Sequence, residues 1–118
     1  MNRLINGDCL ASMDKLIEEG IKVDCVLTSP PYNRKRNDKY SLYNDTLEDW
    51  YQFNVDVIDR LLLLTENHIF YNIQANYYNR SDVYKLLGKY HKEIRDIHIW
   101  EKTNPMPASG KSITNAVE

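Results

Sequence analysis

Ser29-Pro30-Pro31-Tyr32 is the segment of this 118-residue chain best equipped to do chemistry. It carries one small hydroxyl, a run of carbonyls with no competing donors nearby, and one aromatic ring. Both prolines fix φ near −65° and cannot donate to a ladder. Each also pushes the residue before it out of the helical region. The preceding Val23-Asp24-Cys25-Val26-Leu27-Thr28 is short, apolar and rich in β-branched residues, so it reads as a strand that must stop at Ser29. A stiff loop therefore leaves the carboxyl end of a strand, which is where ligands sit in open α/β sheets. The competing reading is a proline-rich turn, or a polyproline ligand for a partner domain. Such ligands seldom grow directly out of a buried strand.

The elements that would position this loop follow from the apolar pattern. Leu4 and Ile5 read as a short strand ending at Asn6-Gly7-Asp8. Leu10, Met13, Leu16 and Ile17 recur at helical spacing, with Asp8 as cap and Gly20 as terminator. Thr46-Leu47-Glu48-Asp49 resembles a capping box before a helix that carries Trp50, Phe53, Val57, Ile58, Leu61 and Leu64 on one face. Asn67 to Ile73 reads as a third strand. Ser81 then caps a helix with Val83, Leu86, Leu87 and Tyr90 inward. Ile94 to Trp100 alternates as a fourth strand. Strands alternating with helices imply right-handed crossovers and a parallel sheet. The order β-α-β-α-β-α-β makes an α/β, Rossmann-like half with about four mainly parallel strands.

Length and composition bound the rest. One domain is expected for 118 residues. No apolar run approaches membrane-spanning length and no signal peptide is visible, so a cytoplasmic protein is expected. Two cysteines, Cys9 and Cys25, are too few for a disulfide framework and read as buried thiols in a reducing compartment. His68, His91 and His98 are scattered, and no metal site is expected. Gly110-Lys111-Ser112 looks like the end of a phosphate-binding loop, but position 105, where that motif needs glycine, is Pro105. The net charge of −2 does not advertise nucleic-acid binding. Its distribution does more: Arg34, Lys35, Arg36 and Lys39 follow the Pro-Pro-Tyr segment directly and could hold phosphates, or form a solvated loop.

Ser29-Pro30-Pro31-Tyr32 resembles the (Asp/Asn/Ser)-Pro-Pro-(Tyr/Phe) catalytic motif of S-adenosylmethionine-dependent DNA amino-methyltransferases. The chain as a whole looks like the amino-terminal, catalytic half of the β-class of that family, in which the catalytic motif precedes the cofactor motif. Asn6-Gly7-Asp8 looks like the acidic segment beside the cofactor adenine. Trp100-Glu101-Lys102 and Asn104-Pro105-Met106-Pro107 look like a loop found in phage and bacterial members, some of them parts of restriction–modification systems. The family's Phe-x-Gly-x-Gly loop, which holds the methionine part of the cofactor, is missing: Gly7, Gly20, Gly88 and Gly110 are the only glycines and no two are close. The resemblance would place that loop after Glu118. Residues 1–118 are thus expected to form a single partial methyltransferase domain without a target-recognition region. Such a domain would bind S-adenosylmethionine weakly by itself, and would pair with another copy or with a missing carboxyl-terminal half.

The resemblance also implies a mechanism. An exocyclic amine on adenine or cytosine is a poor nucleophile because its lone pair is delocalised into the ring. Acceptors aimed at its two N–H bonds favour the tetrahedral nitrogen that attacks the methyl group. Ser29 Oγ and the Pro30 carbonyl would be those acceptors, Pro31 would stiffen the loop, and Tyr32 would stack on the base. The base must leave the duplex to be reached. Asn33, with Arg34, Lys35 and Arg36, would bind the DNA substrate; Tyr40 and Tyr43 read more simply as ordinary surface residues. Asp8 would be both helix cap and cofactor contact. Alternatives are methylation of RNA or of a protein glutamine, and a catalytically dead remnant that only binds nucleic acid or a partner.

Overall fold

The computed structural model describes residues 2–33 and 49–103. The elements run α1 (Cys9–Glu18), β1 (Val23–Thr28), α2 (Trp50–Leu64), β2 (Thr65–Tyr71) and α3 (Arg80–Lys89). The sequence dictates both ends of α1. Asp8 Oδ2 accepts from the Ala11 N–H at 2.9 Å and satisfies one orphan donor of the first turn. At the other end Gly20 takes φ +72°, its N–H bonds the Ile17 carbonyl, and the Ile21 N–H bonds the Leu16 carbonyl. That pair of bonds is a Schellman closure, and the left-handed residue it needs is a glycine.

The remaining helix caps differ from the capping patterns in the sequence. The N-cap of α2 is Asp49, whose carboxylate accepts from the Gln52 N–H at 3.0 Å. The expected box began at Thr46, and Thr46 to Glu48 lie outside the described residues. Helix α3 starts after Asn79, with no side-chain cap bond, so Ser81 sits within the helix and not at its cap. The Asn79 side chain is occupied elsewhere, which is why it does not cap. Leu86 and Tyr90 are buried as expected, while Leu87 is exposed.

β1 and β2 pair in parallel, with Cys25 opposite His68, Val26 opposite Ile69, Leu27 opposite Phe70 and Thr28 opposite Tyr71. β2 lies two residues earlier than the apolar pattern suggests, because α2 runs straight into it at Thr65. Among the described residues the sheet has two strands, where about four were expected. Leu4 and Ile5 form no strand and are exposed, Leu4 completely. Ile94 to Trp100 is likewise not a strand, and Ile97, Ile99 and Trp100 lie open to solvent. A strand exists only by pairing, and alternation of apolar residues cannot supply the neighbour. Among the described residues, neither segment has one; an isolated bridge follows the second at Glu101.

The core lies between α2 and α3, where Trp50, Val55, Leu86 and Tyr90 pack together with Ile58, Ile73, Val83 and Ile94 around them. The Tyr90 hydroxyl donates to Asp59 Oδ1 at 2.7 Å. Burial first, then that carboxylate, push its pKa upward. α1 is tied to α2 by a two-toothed ion pair from Arg60 to Asp14, 2.7 and 3.2 Å. Among the described residues the sheet is covered on one side only. Tyr71 faces α2 and bonds Asn54 there, and Val26, Thr28 and Ile69 share its half-buried face. The opposite face presents Leu27, 80% exposed, beside Phe70, 50% exposed. Parallel sheets ordinarily bury both faces.

Candidate active site

The parallel pairing brings two loops out together at one end of the sheet. The Asn72 N–H donates to the Thr28 carbonyl at 2.9 Å, so β1 and β2 finish side by side. Ser29-Pro30-Pro31-Tyr32-Asn33 leaves the first strand, and residues 72–79 leave the second. Prolines contribute carbonyls but no N–H, so the first loop has acceptors in surplus and must borrow donors. It borrows them from side chains. The buried Trp50 indole, at the start of α2, donates to the Pro31 carbonyl. The Tyr32 carbonyl accepts from two amides, Asn76 Nδ2 and Asn79 Nδ2, each at 2.8 Å. The Tyr32 hydroxyl accepts from Asn72 Nδ2 at 2.8 Å.

Each donor is itself held. Asn79 is fully buried, and its amide also reaches the Gln74 carbonyl at 3.0 Å, while its Oδ1 accepts from the Asn76 N–H at 2.7 Å. Asn54, also fully buried, donates to the Trp50 carbonyl at 2.7 Å and accepts from the Tyr71 hydroxyl. A continuous polar network thus runs from β2 through α2 to Pro31. Buried polar groups of this kind specify one arrangement when each is satisfied.

What the network leaves over is chemically informative. Among the described residues, no hydrogen-bond partner is found for Ser29 Oγ or for the Pro30 carbonyl. Ser29 is exposed and Pro30 half-buried. Two acceptors therefore remain presented at the carboxyl end of β1, on a loop whose next two carbonyls are already occupied. Asn33 follows in the left-handed conformation, φ 56°, and is buried. Asparagine tolerates that conformation better than most residues. Arg34, Lys35, Arg36 and Lys39, with Tyr40 and Tyr43, lie outside the described residues.

Asp8 stands apart from the loop in sequence but at the same end of the sheet. Its neighbour Cys9 is close enough to Tyr71 to act on its ionisation. Burial first, then the Cys9 charge, raise the Tyr71 pKa. Partial desolvation of the Cys9 thiol, then the adjoining Asp8 carboxylate, raise the pKa of Cys9, although the residue as a whole is exposed. Neither group is thereby activated as a base or nucleophile near neutral pH. The site offers acceptors with fixed direction. Among the described residues no cluster of three or more His, Cys, Asp or Glu side chains is arranged to hold a metal.

A family model described as DNA methylase, of the N6-adenine/N4-cytosine type, matches residues 23–118. The chain belongs to that family. The match begins at the first residue of β1 and spans the Ser29–Asn33 loop, α2, β2 and the asparagine-bearing loop. No solved structure matches the chain. Family membership implies use of S-adenosylmethionine. Asn6, Gly7, Asp8 and Ser12 line an open depression of about 440 Å³ at the start of α1, with Arg3 and Lys15 beside them. This mix of carboxylate, amide and hydroxyl suits the nucleoside end of that cofactor.

The sequence pattern gave no warning of Trp50, Asn54, Asn72, Asn76 and Asn79 as site residues. Trp50 reads as core, and it is core as well as donor. The asparagines sit in a stretch of polar and aromatic residues that has no periodicity. The one available signal was that Pro-Pro-Tyr must find donors somewhere. Removing the Asn79 amide in Asn79→Ala leaves two carbonyls without it, and should destabilise the fold by about 2 kcal/mol or more. Asn72→Ala removes the half-buried bond to the Tyr32 hydroxyl, leaves no backbone carbonyl without its donor there, and should cost less, about 1 kcal/mol. Urea unfolding curves check the ranking; equal effects, or the reverse order, would contradict the network.

Proposed function

We propose that this chain carries the amine-binding part of a methyl transfer from S-adenosylmethionine to the exocyclic amine of adenine or cytosine in DNA. The observation that supports this most is the pair of acceptors left over at Ser29 Oγ and the Pro30 carbonyl, on a loop whose following carbonyls are held by protein donors. The two N–H bonds of an extruded base amine have two acceptors to meet. Accepting both pulls the nitrogen toward tetrahedral geometry and stabilises the positive charge that builds on it. Proline at position 30 fixes the direction of its carbonyl, so little reorganisation is needed when the base arrives. Tyr32 stacks on the base while Asn72 holds its hydroxyl. Asn33 shapes the pocket from beneath, and Arg34, Lys35 and Arg36 meet phosphates.

S-adenosylmethionine, when bound, supplies the electrophilic methyl group. Asp8 holds its nucleoside end at the start of α1. The sequence contains no pair of nearby glycines to cradle the methionine end, so binding by residues 1–118 alone is weak. We read these residues as one partial methyltransferase domain. The exposed Leu27 and Phe70 then mark the sheet face that a second copy, or a carboxyl-terminal half of the domain, covers. Sedimentation equilibrium at tens of micromolar should show a dimer or larger species; a monodisperse monomer would remove the second copy from this picture.

The missing glycine loop also favours a second reading, a binding module without catalysis. Tritium transfer from millimolar labelled S-adenosylmethionine into unmethylated DNA separates the two. The catalytic reading expects slow transfer by the chain, reduced roughly 10²-fold in Ser29→Ala, the scale of losing one directed hydrogen bond in a transition state. Complete inactivity of the unaltered chain, with DNA still bound, would instead establish the binding module.

A further inference from the structure

The loop from β2 to α3 carries two aromatic rings that neither the core nor the proposed chemistry uses. Tyr77 is 78% exposed and Tyr78 is 54% exposed. Their rings meet edge to face, with centroids 5.3 Å apart and planes at 88°. The Arg80 guanidinium stands 5.6 Å from the Tyr77 ring centroid. Among the described residues, no carboxylate pairs with Arg80. Two adjacent exposed rings with an unneutralised cation over one of them form a small amphipathic surface. Water alone gives no reason for its order.

The position of this surface is fixed by the site. Asn76 Oδ1 accepts from the N–H groups of Tyr78 and Asn79, at 2.8 and 3.2 Å. The same side chain donates through Nδ2 to the Tyr32 carbonyl at 2.8 Å. One asparagine therefore holds both the Pro-Pro-Tyr loop and the turn that displays Tyr77 and Tyr78. Whatever rests on those rings lies next to whatever Tyr32 contacts.

We propose that Tyr77, Tyr78 and Arg80 form a platform for unpaired DNA bases and their phosphate beside the target base. This rests on the DNA reading of the Ser29 loop given above. Extruding a base breaks its stacking on both neighbours, and those neighbours regain part of it on an aromatic ring nearby. Stacking of this kind tolerates any base, because each has a π-face. Arg80 supplies the charge complement for the phosphate.

The test is fluorescence anisotropy of an end-labelled single-stranded DNA 12-mer titrated with the full chain at several salt concentrations. The double variant Tyr77→Ala/Tyr78→Ala should bind at least about fivefold more weakly, the lower end of what one lost base stack does. Tyr77→Phe/Tyr78→Phe should bind within twofold of the unaltered chain, since rings and not hydroxyls carry the contact. Arg80→Gln should lower the slope of log affinity against log salt by about one phosphate contact. The substituted side chains are largely exposed, so circular dichroism melts should match. If the alanine variant nevertheless unfolds, the Arg80→Gln salt slope decides alone. An alanine variant that folds and binds as tightly as the unaltered chain, or an unchanged slope in Arg80→Gln, overturns the platform and leaves the Ser29 reading standing. Failure of the unaltered chain to bind the oligonucleotide overturns the platform and the DNA reading together.

Discussion

Three consecutive carbonyls leave the carboxyl end of β1 in a segment whose two prolines bring no N–H. A loop with that imbalance cannot fold against a protein surface unless donors come from outside its own backbone. Here they come from one indole and two carboxamides, carried by two separate parts of the chain: Trp50 from the first turn of α2, Asn76 and Asn79 from the turn before α3. This requirement explains features that look unrelated. Trp50 is both the most buried aromatic of the core and a hydrogen-bond donor. Asn79 stands at a helix start without capping it. Asn54 sits buried in the middle of an apolar helix face because it and the Tyr71 hydroxyl satisfy each other.

The same imbalance gives the site its chemistry. Among the described residues donors are matched to the Pro31 and Tyr32 carbonyls, leaving Ser29 Oγ and the Pro30 carbonyl as acceptors with fixed direction. Burial raises the pKa of both Tyr71 and Cys9, which moves their ionisation away from neutrality. A site built this way suits a reaction in which an amine must be oriented and its developing charge met, and it does not need a strong base at the start.

Much of this was legible in the sequence where the signal is local. A strand that runs into Pro-Pro, a helix opened by Asp8 and closed by Gly20, and the long apolar face from Trp50 to Leu64 each follow from residue types within one turn or one strand. What failed was non-local. Leu4-Ile5 and Ile94 to Trp100 have strand composition, but composition does not provide a neighbour; Leu4, Ile5, Ile97, Ile99 and Trp100 lie exposed while Ile94 packs against the core. The asparagine clamp failed to show for a related reason. Asn72, Asn76 and Asn79 take on this role beside Tyr32, forty or more residues away, and that proximity is created by the parallel pairing of β1 with β2.

The central claim is that the amides and the indole leave the Pro30 carbonyl as the backbone acceptor open to a base amine. Carbonyl ¹³C shifts of Pro30, Pro31 and Tyr32 in isotopically labelled chain, titrated with deoxyadenosine and with deoxycytidine, test it most directly. The account predicts that the Pro30 carbonyl resonance moves with nucleoside concentration while those of Pro31 and Tyr32 stay in place. A titration in which the Pro31 or Tyr32 carbonyl moves and the Pro30 carbonyl does not would contradict it.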